Sequence, residues 1–95
     1  MMATQTREEV LGQDFSSEFV ELMKHRVVEG FQDWGSIHKY ISEKETSVPH
    51  VLKRVEEHLL GFQETRKESH LADAANNIMF LFLRNRIRPE SIRKD

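Results

Sequence analysis

The residue types best suited to chemistry are concentrated in residues 68–77, which the apolar run 78–83 follows directly. His70, Asp73 and Asn77 are spaced i, i+3 and i+7, so a helix places them on one face. Imidazole, carboxylate and amide oxygen can together bind a hard divalent cation. The spacing therefore indicates a candidate metal or polar site on a helix that is otherwise apolar.

Further ligands for such a site can come from the preceding helical segment, since helical bundles build metal sites from facing helices. That segment supplies Glu56, Glu57 and His58. A second interpretation needs no ligand. The amides of Asn76 and Asn77 then form helix–helix hydrogen bonds, and the acidic residues form a solvated face (Glu56, Glu57, Glu64 and Glu68).

The periodicity of apolar residues predicts an all-α fold of four helices. Ser16 is the predicted N-cap of the first, with Gly30 at its end. A short helix follows over residues 37–41. Ser47 caps the third, which has Pro49 in its first turn and is weakened or ended by Gly61.

The last and longest helix is predicted to begin with a capping box, with Thr65 as N-cap and Glu68 three residues later. It extends to about Arg86. The predicted domain covers residues 14–88, between a loose arm over 1–13 and a basic tail over 89–95. The basic residues near the end are suited either to solvation or to phosphate contact.

The last helix carries apolar residues around nearly all of its circumference, which is typical of a mostly buried helix. Three short partners in a chain of 95 residues can hardly enclose it. We therefore expect a homo-oligomer, most simply a homodimer, with this helix at the interface. The alternative is a monomer with an exposed apolar patch.

Composition excludes several classes of site and partner. The chain has no cysteine, which rules out disulfides, thiolate metal ligands and a cysteine nucleophile. A net charge of −2 disfavours nucleic acid as a partner. Because the longest apolar run is short and the N-terminus is polar, we expect a cytoplasmic protein without a membrane span or signal peptide. Trp34 and Tyr40 are expected to be core or interface anchors.

Residues 57–60 and 70–75, with a Trp-containing turn at 31–34, resemble phage-type dATP/dGTP diphosphohydrolase-like proteins, near the all-α MazG nucleotide pyrophosphohydrolases. The resemblance spans roughly residues 30–83. It implies hydrolysis between the α- and β-phosphates of a nucleoside triphosphate, supported by Mg²⁺ or Mn²⁺. MazG-type enzymes bind the metal through an E-x-x-E pair and an E-x-x-D pair. Asp73 matches the final Asp, but His70 stands where Glu is expected, so the metal set is incomplete or altered.

On this resemblance we expect Asp73 and Glu57 to bind metal, His70 or His58 to carry a proton, and Asn77 to contact the nucleotide. The chain is then a divergent pyrophosphohydrolase or a relative that has lost catalysis. A second hypothesis is a non-catalytic adaptor that binds another protein. A third is a helix-turn-helix DNA binder, whose exposed recognition positions would be Ser47, His50, Lys53 and Arg54.

Overall fold

The computed structural model describes residues 4–43 and 47–87, which fold into helices without any strand in those ranges. The all-α prediction is confirmed. The four predicted helices are present, preceded by one that was not predicted. In chain order they are α1 (Arg7–Asp14), α2 (Ser17–Trp34), α3 (Ile37–Glu43), α4 (Val48–Thr65) and α5 (Glu68–Ile87).

Two serine caps fix where the long helices α2 and α4 begin. The Ser16 hydroxyl accepts a hydrogen bond from the Phe19 N–H at 3.0 Å, and the Ser47 hydroxyl accepts one from the His50 N–H at 3.2 Å. Pro49 lies in the first turn of α4, where its missing N–H leaves no bond unmade. Both predicted N-caps are confirmed.

The predicted helix end at Gly30 was wrong, and Gly61, predicted to weaken or end its helix, does not end it. Helix α2 continues through Gly30 to Trp34 and stops at Gly35, whose φ of 85° is accessible mainly to glycine. Helix α4 likewise continues through Gly61 to Thr65. One interior glycine costs a helix about 1 kcal/mol relative to alanine, which packing of an 18-residue helix outweighs.

Thr65 completes α4 instead of starting α5, so the predicted capping box is absent. Its hydroxyl donates to the Gly61 carbonyl at 2.8 Å and accepts from the Lys67 N–H at 3.2 Å. Arg66 then takes the left-handed conformation, with φ of 62°, and reverses the chain. Helix α5 begins at Glu68 and returns antiparallel to α4.

Helix α1 lies in the segment expected to be a loose arm. A capping box starts it: the Glu9 carboxylate accepts from the Thr6 N–H at 2.9 Å, and the Thr6 hydroxyl accepts from the Glu9 N–H at 3.2 Å. These bonds lower the pKa of Glu9. Every residue of α1 is exposed. Residues 1–3 of the arm and the predicted tail, 89–95, lie outside the described residues.

Helix α5 is the centre of the domain and packs against α2, α3 and α4. Its buried residues include small and polar ones (Ala72, Ala74, Asn76, Asn77 and Arg84). Ile41 of α3 and Val51 of α4 complete the most buried set. The predicted burial of α5 is only partial, because Ile78 and Phe82 are each 56% exposed. No helix in the described ranges is long and apolar enough to cross a membrane.

Candidate functional site

A cleft of about 770 Å³ opens between α2, α3, α4 and α5. Its floor is the face of α5 that carries Asp73, Asn76, Asn77, Phe80 and Arg84. These residues follow helical spacing, so one face of α5 presents a polar strip within an otherwise apolar helix.

Asp73 forms the main ion pair of the cleft, with Arg26 of α2. The guanidinium donates from Nε to Asp73 Oδ1 at 2.9 Å and from Nη2 to Oδ2 at 2.7 Å. Its Nη1 donates to Glu29 Oε1 at 3.2 Å. The hydrogen bonds that Arg26 donates to Asp73 raise the pKa of Arg26 above its usual range. This paired geometry positions α2 on α5 and engages both oxygens of the Asp73 carboxylate.

His58 faces the same carboxylate from α4. Its Nδ1 lies 3.9 Å from Asp73 Oδ2, beyond hydrogen-bonding distance. Burial lowers the pKa of His58 and outweighs the opposing effect of Asp73, while Arg54 and His70 lower it further. The lowered pKa favours the neutral imidazole, which is the form that can accept a proton.

The two asparagines differ in what they contact. Asn76 Nδ2 donates to the Met23 carbonyl at 3.0 Å, which joins α5 to α2 as the ligand-free interpretation predicted. Asn77 Nδ2 donates to the Asp73 carbonyl at 2.8 Å, one turn earlier on α5 itself. Asn76 is 4% exposed, and its Oδ1 has no hydrogen-bond donor within the described residues. Although Asn76 lines the cleft, this oxygen is itself buried and is not exposed to the cleft.

Two predicted site residues lie outside the cleft. His70 packs against the backbone of α4 at Gly61, and its ring centroid lies 5.8 Å from that of His58. Its Nδ1 is buried and makes no hydrogen bond within the described residues. Glu57 is exposed on α4 and, with Glu56, Glu64 and Glu68, belongs to the predicted solvated acidic residues. The structure thus brings together His58, Asp73 and Asn77, and leaves out His70 and Glu57.

The arrangement does not fit a resident divalent cation. Both carboxylate oxygens of Asp73 accept hydrogen bonds from Arg26, and Glu57 does not line the cleft. Within the described residues, no three His, Asp or Glu side chains are grouped to hold a metal ion. Arg26 supplies the positive charge beside Asp73 that a cation would otherwise provide.

Aromatic side chains surround the opening of the cleft. Trp34 is 89% exposed, and Phe31 and Tyr40 are also exposed while lining the cleft. Trp34 and Tyr40 are therefore not part of the core, and their predicted alternative role as interface anchors stays a prediction. Arg54 and His50, exposed positions on α4, line the same opening. The cleft therefore combines flat apolar surfaces at its opening with cationic and hydrogen-bonding groups nearby.

Sequence reasoning missed Arg26, the residue that organises this site. Its signal is a charged residue within the apolar stripe of α2, between Met23 and Val27. A charge at such a position needs a partner from another helix. The identity of that partner, 47 residues later, depends on how α2 crosses α5.

Comparison with protein-family models, curated proteins and solved structures finds no match to this chain.

Proposed function

We propose that this chain is a divergent nucleoside triphosphate pyrophosphohydrolase-like protein that binds a nucleoside triphosphate in the cleft on α5. The observation that carries the proposal is the convergence of His58, Asp73 and Asn77 on one cleft. The sequence resemblance assigned roles to these three residues, and two different helices supply them.

The chemistry of the cleft suits a ligand with a flat ring and an anionic part. A nucleobase can stack on the exposed ring of Trp34 or Tyr40. Phosphate oxygens can accept hydrogen bonds from Arg54 and His50 at the opening.

Hydrolysis places a further demand on the site. Neutral His58 is suited to accept a proton from water, and Asp73 lies beside it to favour the imidazolium that forms. The described residues do not fit a resident Mg²⁺ or Mn²⁺, so the proton transfer rests on His58 and Asp73 alone. The proposal is therefore nucleotide binding, with turnover as a separate measurement.

Trp34 is the only tryptophan of the chain, so its fluorescence reports directly on the cleft. The test titrates each of the four dNTPs with the full chain, with and without Mg²⁺. We expect saturable quenching by at least one dNTP. Arg54→Gln should weaken that binding, whereas Lys53→Gln, which changes an exposed neighbour outside the cleft, should not.

Pyrophosphate release in Mg²⁺ or Mn²⁺ tests hydrolysis in the same samples. Turnover that is lost in His58→Gln and Asp73→Asn but kept in Glu57→Gln would support a catalytic cleft centred on His58 and Asp73. Saturable binding without turnover would support a relative that has lost catalysis. Absence of saturable quenching with all four nucleotides would reject the proposal.

Helix α1 supports a second candidate, an adaptor that binds another protein. This helix forms through its own capping box, every residue in it is exposed, and Val10 and Leu11 are apolar. Such a helix is suited to dock in a groove of a partner. If α1 binds a partner protein, removal of residues 1–14 should abolish binding to that partner and leave nucleotide binding in the cleft unchanged. For the DNA-binding hypothesis, residues 44–46 of the turn lie outside the described residues, and no specific contact favours it.

A further inference from the structure

An apolar stripe runs along α5 on the side opposite the cleft. It consists of Leu71, Ala75, Ile78 and Phe82, which are spaced i, i+4, i+7 and i+11. Ile78 and Phe82 are each 56% exposed, whereas Leu71 lines a small pocket beside the start of α2. This spacing is that of a helix seam that packs against another helix.

The charges at the ends of the stripe are opposite in sign. Glu68 and Arg86 are exposed residues near the start and end of α5. They are separated by 86 − 68 = 18 residues, about five full helical turns, so they lie at the same angle on one flank of the stripe. The Arg86 guanidinium lies 4.5 Å from the centroid of the Phe82 ring, at the edge of the stripe.

We propose that the stripe pairs with the α5 stripe of a second copy of this chain, antiparallel about a two-fold axis between Ala75 and Ile78. This pairing places small Ala75 against the partner's Ile78, and Leu71 against the partner's Phe82. It also places Glu68 beside the partner's Arg86, twice per dimer, because a two-fold operation in an antiparallel pair brings matching flanks together.

Charge complementarity selects this occupant and this orientation. Glu68 lies about as far before the centre of the stripe as Arg86 lies after it, so the face is complementary to itself, as an isologous interface requires. The antiparallel arrangement also opposes the two helix dipoles. A parallel pair would instead gather both Glu68 carboxylates at one end and both Arg86 guanidinium groups at the other.

Sedimentation of the full chain from about 1 to about 100 µM measures the dimer dissociation constant. Ile78→Glu should raise it at least about tenfold, because a charge would then lie at the centre of the apolar seam. Leu60→Glu is the matched control. Leu60 is 57% exposed, like Ile78, but lies on α4 outside the stripe, so its substitution should leave the constant unchanged. Far-UV circular dichroism confirms that each variant is folded.

A charge swap tests the orientation. Glu68→Arg and Arg86→Glu should each weaken the dimer about three- to tenfold, since the symmetry doubles the effect of one exposed pair. The double variant should restore it. A folded wild-type chain that stays monomeric, or a dimer insensitive to Ile78→Glu, would overturn the pairing. The stripe would then be available to bind a different protein. A dimer that the double swap does not restore would overturn the antiparallel arrangement.

Discussion

Arg26 and Asp73 lie 47 positions apart in the chain and form a two-point ion pair that joins α2 to α5. The pair is partly shielded, since the Asp73 side chain is 18% exposed and that of Arg26 is 35% exposed. It lies in the candidate cleft, and it contributes to both the packing of the domain and the charge of the site. Its contribution to packing can be measured as a change in the free energy of unfolding when either residue is neutralised.

We expect Arg26→Gln and Asp73→Asn each to lower the free energy of unfolding by about 1–3 kcal/mol, between the values typical of exposed and buried pairs. The double variant should lose less than the sum of the two, because neither charge is then left unpaired. Urea unfolding measures all three. Lys24 and Glu21 form an exposed pair at 3.3 Å on α2, and Lys24→Gln with Glu21→Gln should change stability by less than about 0.5 kcal/mol.

Gly61 permits the close approach of α5 to α4. A Cβ at this position would lie 2.7 Å from His70 Cε1 and 2.9 Å from its Nδ1. We therefore expect Gly61→Ala to destabilise the domain by about 1–3 kcal/mol, although alanine favours the helix. In the His70→Ala background the same substitution should cost much less, because the clash is gone.

Gly30→Ala is the matched control, since Gly30 lies inside α2 and a Cβ there meets no atom within 4 Å. It should raise the free energy of unfolding by about 0.5–1 kcal/mol through helix propensity alone. Thermal unfolding of the two alanine variants distinguishes close packing from propensity. Equal stabilisation by both substitutions would contradict the role given to Gly61.

The sequence was most informative where the interaction is local. Ser16 and Ser47 each bond to an N–H three residues later, so the residues within one turn determine the cap. Gly30 and Gly61 misled the prediction, because helix propensity counts their backbone cost but not the packing of the helices that contain them. Thr65 is ambiguous in sequence, because a threonine between two helices can bond to either one.

The candidate site was only half accessible to sequence reasoning. Asp73 and Asn77 follow from helical spacing, and His58 follows from the resemblance over residues 57–60, because each of these patterns is local in sequence. Arg26 does not, because its partner depends on the crossing of α2 and α5. Glu57 neighbours His58 in sequence, but about 100° per residue turns it away from the cleft.

Ser16 should contribute measurably to stability, because its hydroxyl satisfies an N–H that the first turn of α2 leaves without a helical partner. Ser16→Ala should lower the free energy of unfolding by about 1 kcal/mol, and Ser16→Asp should retain most of it, since aspartate also caps. Urea unfolding decides between these outcomes. An alanine variant as stable as the wild type would show that the cap contributes nothing.

His58 should make stability depend on pH. In the unfolded chain its pKa is near 6.5, and burial lowers it in the folded protein. The folded state thus favours neutral His58, so its stabilising contribution is complete above about pH 6.5 and is lost as the pH falls toward the folded pKa. As the pH falls from about 7 to about 5, the free energy of unfolding of the wild type should therefore decrease relative to that of His58→Gln.

Proton NMR titration measures the pKa of His58 directly. The variant Arg54→Gln tests how much the neighbouring positive charge contributes to it. Because the Arg54 charge lowers the pKa of His58, its removal should move the titration midpoint upward. Asp73→Asn should move it downward, because the carboxylate 3.9 Å from Nδ1 favours the protonated imidazole. A wild-type midpoint at or above 6.5 would mean that Asp73 outweighs burial, and His58 would then be partly protonated at pH 7 and less available to accept a proton.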